Sequence, residues 1–179
     1  MKRFLLGLFS LCLLVACDPP SQHDPVRYGE VKVWLGPGWL NYDRQRIEQQ
    51  LTYLHRLGPA FSLTTDQDAA NVLLYRFESP NCELFGAGRW FQGSRRVEID
   101  PVCTQGDTVF RMTVGHEIGH VLGMGHVCLR DREVPNCSPV GYGQAMMNPF
   151  IWERDDAEFW VAQEEPTELD LAEFRRVRR

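Results

Sequence analysis

Apolar and polar residues alternate along Val31-Lys32-Val33-Trp34-Leu35, the period of a strand with one buried face. Gly36-Pro37-Gly38 breaks the run. Over 43–57 the period changes: Ile47, Leu51 and Leu54 recur at spacings of three and four, which predicts a helix buried along one side. Gly58-Pro59 closes it. Strands follow over 61–65 and 71–77, parted by a polar turn at Asp66-Gln67-Asp68, and then over 86–92 and 96–100. A second helix is predicted over 108–122, with Phe110, Val114, Ile118 and Val121 on its apolar side and Asp107 or Thr108 as its cap. Residues 127–144, with Pro135, Pro139, Gly141 and Gly143, read as a loop. A final helix starts after Thr167, a cap by residue type, with Glu168 and Asp170 in the first turn where acids suit the helix dipole. Five strands and three main helices make an α+β chain.

The N-terminal pattern is different. Met1-Lys2-Arg3 is positive, and residues 4–16 form an apolar run too short to span a membrane as a helix. The run ends in Leu14-Val15-Ala16-Cys17, which resembles the bacterial lipobox. That resemblance implies cleavage before Cys17 and lipidation of its thiol. The rival reading is an ordinary secretory signal or a short anchor. Residues 17–30, rich in proline, read as a tether between lipid and domain. The expected organisation is a signal peptide over 1–16, a tether over 17–30 and one domain over 31–179. The chain has 179 residues, 44% of them apolar, enough for a single core. Its formal net charge is −5, and no basic stripe suggests nucleic acid. The arginine pairs at Arg95-Arg96 and near the C-terminus read as solvated faces.

Candidate chemistry concentrates in His116-Glu117-Ile118-Gly119-His120-Val121-Leu122-Gly123-Met124-Gly125-His126. On a helix, His116 and His120 share one face. Two neutral imidazoles so placed can hold one Zn²⁺, at about 2.0–2.1 Å each. Glu117 is turned away by roughly 100°, placed to reach water on the metal rather than the metal itself. Gly123 can take the left-handed conformation that ends a helix and reverses the chain. The bend lets His126 return as a third ligand and leaves a fourth position open, as in catalytic zinc sites.

This spacing, H-E-x-x-H-x-x-G-x-x-H, resembles the metzincin clan of zinc peptidases, and within it a small matrixin. The resemblance covers roughly 31–179 and is strongest at 116–126 and 145–149. It implies a twisted mixed sheet of about five strands, with the fourth strand at the edge above the metal cleft. It also implies a methionine turn beneath the metal. Met147 in Ala145-Met146-Met147-Asn148-Pro149 fits that role, with Met146 the alternative. Asn148 departs from the tyrosine many matrixins carry. No Pro-Arg-Cys-Gly stretch precedes the domain, so latency through a cysteine switch is not expected. Trp90 and Phe91 read equally as substrate subsites or core. Phe150 and Trp152 read equally as the wall of a specificity pocket or a plain hydrophobic wall. Matrixins often bind calcium, but Asp66 and Asp68 fit a turn better than a calcium site.

The implied activity is hydrolysis of peptide bonds inside extended polypeptides, with one Zn²⁺ and Glu117 as general base. The implied protein is a monomeric exported lipoprotein, membrane-anchored and facing the periplasm or cell exterior. Three rivals stand: a zinc-containing envelope lipoprotein that binds a peptide or protein without cutting it, an enzyme acting on peptidoglycan cross-links, and a purely structural lipoprotein without zinc. Of six cysteines, Cys12 leaves with the signal and Cys17 takes the lipid. Cys82, Cys103, Cys128 and Cys137 remain, in an oxidising compartment that favours disulfides. Three pairings are possible. Cys82–Cys103 with Cys128–Cys137 is preferred, because each joins loops expected to lie close.

Overall fold

A computed structural model describes residues 29–78, 80, 87–104, 106–126, 145–147 and 164–178. The expected signal peptide, nearly all of the tether, and Cys17, Cys82, Cys128, Cys137, Phe150 and Trp152 lie outside the described residues. The elements run β1 (Glu30–Leu35), α1 (Asn41–Leu54), a 3₁₀ turn (His55–Leu57), β2 (Ala60–Thr64), β3 (Val72–Arg76), β4 (Gly88–Trp90), β5 (Arg96–Ile99), α2 (Asp107–Val121) and α3 (Glu168–Val177). Five strands form one mixed sheet in the order β2-β1-β3-β5-β4. β1 is parallel to β2 and β3, and β3 to β5, while β4 runs antiparallel to β5 at the edge.

The alternation in β1 translates directly: Val31, Val33 and Leu35 are buried, Lys32 and Trp34 less so. Val72, Leu74, Val97 and Ile99 extend the same face, and Ile47, Leu51 and Leu54 of α1 pack on it with Phe110, Val114 and Ile118 of α2. The other face is aromatic and charged. There Glu98 accepts from Arg89 at 2.7 Å and Arg96 at 2.9 Å, and Arg96 covers the Tyr75 ring.

The element ends differ from the predicted ones for local reasons. α1 begins at Asn41, after an extended Leu40, and its last turn tightens before Gly58 takes φ +113°. β4 stops at Trp90 because the chain turns at once: Ser94 N–H donates to Phe91 O at 2.9 Å, and Gly93 has φ +72°. Neither Asp107 nor Thr108 caps α2. Gly106 holds that position, with φ +91°, which a side chain rarely tolerates. Asp107 is the first helical residue, and its carboxylate instead accepts from Tyr42 Oη and Arg46 Nη1. Thr167 does sit at the cap of α3, in a capping box with Asp170. At the Asp66 turn, Oδ1 accepts the N–H groups of Asp68 and Ala69 at 3.0 and 3.2 Å. That bonding marks a side-chain turn. Cys103 is disulfide-bonded; the other five cysteines lie outside the described residues.

Candidate metal centre

His116 and His120 stand one turn apart on α2, and His126 lies five residues past the end of that helix. Their Nε2 atoms form a near-equilateral triangle: 3.1 Å from His120 to His116, 3.1 Å from His120 to His126 and 3.2 Å from His116 to His126. Points that far apart lie on a circle of radius about 1.8 Å, so a position about 2.0–2.1 Å from all three exists just off their plane, matching Zn–N bonds. The tautomers follow from the other ring nitrogens. His116 Nδ1 faces Met146 O at 3.1 Å, and His120 Nδ1 faces Met124 O at 3.0 Å. A carbonyl only accepts, so each Nδ1 carries the proton and each Nε2 presents a lone pair. The His116 and His120 lone pairs face each other across 3.1 Å, a repulsion that a cation between them relieves. These histidines can hold a metal ion.

Burial keeps the rings neutral. It lowers all three imidazole pKa values, and pushes His116, the deepest, down to about 3, with repulsion from His120 and His126 adding to it and the Met146 bond opposing it. Neutral imidazole is the form that ligates metals.

The third ligand depends on how α2 ends. Gly123 N–H donates to His120 O, and Met124 N–H donates to Gly119 O, each at 3.0 Å. These two bonds, closing over a glycine at φ +84°, make a Schellman stop. The stop reverses the chain toward the metal position. It also delivers the Met124 carbonyl that orients His120, so one turn serves two ligands.

Beneath the histidines lies the methionine segment, with Ala145, Met146 and Met147 all buried. Two glycines of α2 let it approach. A methyl at Gly119 would overlap the Met147 sulfur, and one at Gly115 would meet Gln50 and, at 3.1 Å, the Met146 sulfur. The backbone of this segment hangs on Asp170 of α3, which is fully buried. Asp170 Oδ1 accepts Met147 N–H at 2.9 Å, and Oδ2 accepts Met146 N–H at 2.9 Å, Thr167 N–H at 2.8 Å and Thr167 Oγ1–H at 2.9 Å. Asp170 thus fixes the peptide whose carbonyl orients His116.

Glu117 is buried under β4. Burial raises its pKa to about 7, and a bond from Trp90 N–H pulls the other way. The β4–β5 ladder explains that bond. Phe91 N–H donates to Arg96 O, and Asp100 N–H to Ala87 O. In an antiparallel pair the intervening residues, Gly88 and Trp90, then point their main-chain groups off the open edge. Gly88 also makes room: a methyl there would lie 2.6 Å from Thr113 Cγ2 and 3.0 Å from Glu117 Cγ.

Of the residues singled out as subsites, Trp90 stacks on His120, with centroids 5.7 Å apart and planes at 21°. Its indole N–H donates to Ser94 O at 2.8 Å. Phe91, one residue on, falls on the opposite face of the sheet, between Arg89 and Arg96. The structure does not bring Phe91 to the three imidazoles. Asp170 and Glu173 were missed as site residues. The pattern of acids in a helix start explained Asp170 fully, and nothing in the sequence pairs it with Met146.

No family model matches the chain, and no curated protein matches it. Among solved structures the chain is similar to myroilysin, with a TM-score of 0.42 and 20% sequence identity. The likeness covers 57% of this chain and 54% of that one, so the chain spans about half of that structure's length. A likeness this slight carries no inference about function.

Replacing Asp170 by asparagine keeps the shape but turns one acceptor into a donor facing N–H groups. The metal-free Asp170→Asn protein should lose about 2–4 kcal/mol of stability in urea unfolding. A loss below about 1 kcal/mol would show that these bonds do not hold the methionine segment.

Proposed function

We propose that this chain is a zinc-dependent endopeptidase of the metzincin type, with a matrixin-like pattern, hydrolysing peptide bonds in extended polypeptides. The observation that carries the reading is the convergence of three imidazole Nε2 atoms, with the buried Glu117 next to His116 on the same helix. Their spacing and donor set fit Zn²⁺. Zinc, when held there, supplies Lewis acidity toward a carbonyl and lowers the pKa of water.

The chain's own residues supply the rest. Glu117 takes a proton from the attacking water, holds it on a carboxylate oxygen and passes it to the departing amine, so proton and amine leave together. Burial raises the carboxyl's proton affinity, which helps it hold the proton between the two halves of that transfer. Trp90 N–H steadies the carboxyl, and the Trp90 indole covers one face of His120. An extended peptide laid along β4 meets the outward main-chain groups of Gly88 and the Trp90 carbonyl. Main-chain pairing of this kind demands little of the peptide's side chains. The enzyme is further proposed to work at a membrane surface, facing the periplasm or cell exterior, with lipid on Cys17 and residues 17–30 as the tether. Of the rivals, the binding lipoprotein predicts zinc without cleavage, the cross-link hydrolase predicts products only from peptidoglycan, and the structural lipoprotein predicts no zinc.

Glu117→Ala should retain one zinc per chain while casein cleavage falls at least about a hundredfold. Cleavage at the wild-type rate by that variant would refute the general-base role. A chelator should stop the wild-type enzyme, and added zinc should restore it. In cells, Cys17→Ser should abolish incorporation of a labelled fatty acid; persisting label would rule out Cys17 as the anchor.

A further inference from the structure

We propose that Glu173, on α3, is a positioning residue for His126. The inference rests on reading the three histidines as a metal site and is independent of the peptidase reading. His116 and His120 owe their spacing to α2. His126 has no such support, being beyond the chain reversal and the nearest of the three to the surface. Its place depends on the backbone of 124–126.

The Schellman stop accounts for Met124 N–H and leaves the next one, Gly125 N–H, outside its bonding. That group donates to Glu173 Oε1 at 2.9 Å. The bonded peptide group joins Met124 to Gly125, one peptide before that of His126, so holding it anchors the backbone from which His126 hangs, and its carbonyl is the one that accepts from His120 Nδ1. Glu173 is itself braced. Arg176 donates through Nε to Oε2 at 2.7 Å and through Nη2 to Oε1 at 2.6 Å. The carboxylate side chain is only 15% exposed, although its arginine partner is 67% exposed.

An ion pair one turn apart on a helix needs no partner elsewhere. Glu173 instead turns one oxygen to a backbone donor 48 positions earlier in the chain. It lies three residues after Asp170, on the same side of α3. That side therefore carries two carboxylates, Asp170 to the methionine segment under His116 and Glu173 to the segment bearing His126. Removing the second contact leaves the residues of the helix in place but loosens the peptide that leads to the third ligand and bonds the second. Outer contacts of this kind are commonly worth about 10–100-fold in metal affinity.

The test is zinc affinity, measured by competition with a chromophoric chelator on the purified protein and its Glu173→Ala and Glu173→Gln variants. Glutamine keeps an oxygen for Gly125 N–H, and alanine does not. Glu173→Ala should bind zinc at least fivefold more weakly. Glu173→Gln should recover at least half of that loss on a logarithmic scale. Cobalt substituted for zinc should show a changed visible spectrum in the alanine variant alone. A smaller loss in Glu173→Ala, or a glutamine variant no tighter than the alanine one, overturns the proposal. Should alanine prevent folding, a glutamine variant more than fivefold weaker than wild type overturns it, and one closer to wild type supports it. A wild-type protein that binds no zinc removes the metal-site reading and this inference with it, whereas wild-type binding with an unaffected alanine variant removes this inference alone.

Discussion

The Nε2 lone pairs of His116 and His120 face each other across 3.1 Å and repel, with His126 Nε2 as near to both. Everything around them serves to hold that arrangement until a cation relieves it. The work is done by hydrogen bonds to the far side of the rings. The Met146 and Met124 carbonyls each take one Nδ1 proton and so fix both the tautomer and the ring plane. Neither carbonyl comes from a regular element. One belongs to a buried segment slung from Asp170, the other to the reversal that ends α2. The precision of the site is thus borrowed from main-chain groups whose own positions are tied to α2 and α3.

Small residues make that arrangement possible. Gly115 and Gly119 lie on the side of α2 that meets Met146 and Met147, and Gly88 lies where β4 crosses Glu117. Each stands where a single methyl would displace a sulfur, an amide, or the Thr113 methyl and the Glu117 stem. Gly119 sits inside the histidine motif at one of its unspecified positions, and its need is set by packing rather than by metal chemistry. Close packing also buries most of the Glu117 side chain, and that burial shifts its proton affinity toward neutrality.

Much of this was legible in the chain. Alternation in β1 and the spacing of Ile47, Leu51 and Leu54 reported their buried faces, because burial on one side has the same period as the element. The four-residue spacing of His116 and His120 and the glycine at 123 reported a ligand pair and a reversal, because both are local geometry. What stayed hidden was non-local. Asp170 reads as an ordinary first-turn acid, since its bonds to Met146 and Met147 reach back 24 and 23 positions. Glu173 carries no mark in the sequence either, since its bond to Gly125 reaches back 48 positions. Trp90 read equally as core or subsite, and only the register of β4 on β5 shows that its N–H leaves the sheet edge toward Glu117 while its ring covers His120. Gly106, not the polar residues beside it, occupies the cap of α2, because Asp107 is engaged by Tyr42 and Arg46 from α1.

The central claim is that His116, His120 and His126 together grip one divalent cation. X-ray absorption at the zinc edge of the purified protein tests it most directly. The account predicts one zinc per chain with three imidazole nitrogens at about 2.0–2.1 Å and lighter scattering from oxygen completing the shell. Sulfur at about 2.3 Å, or a signal unchanged when all three histidines are replaced, would contradict it.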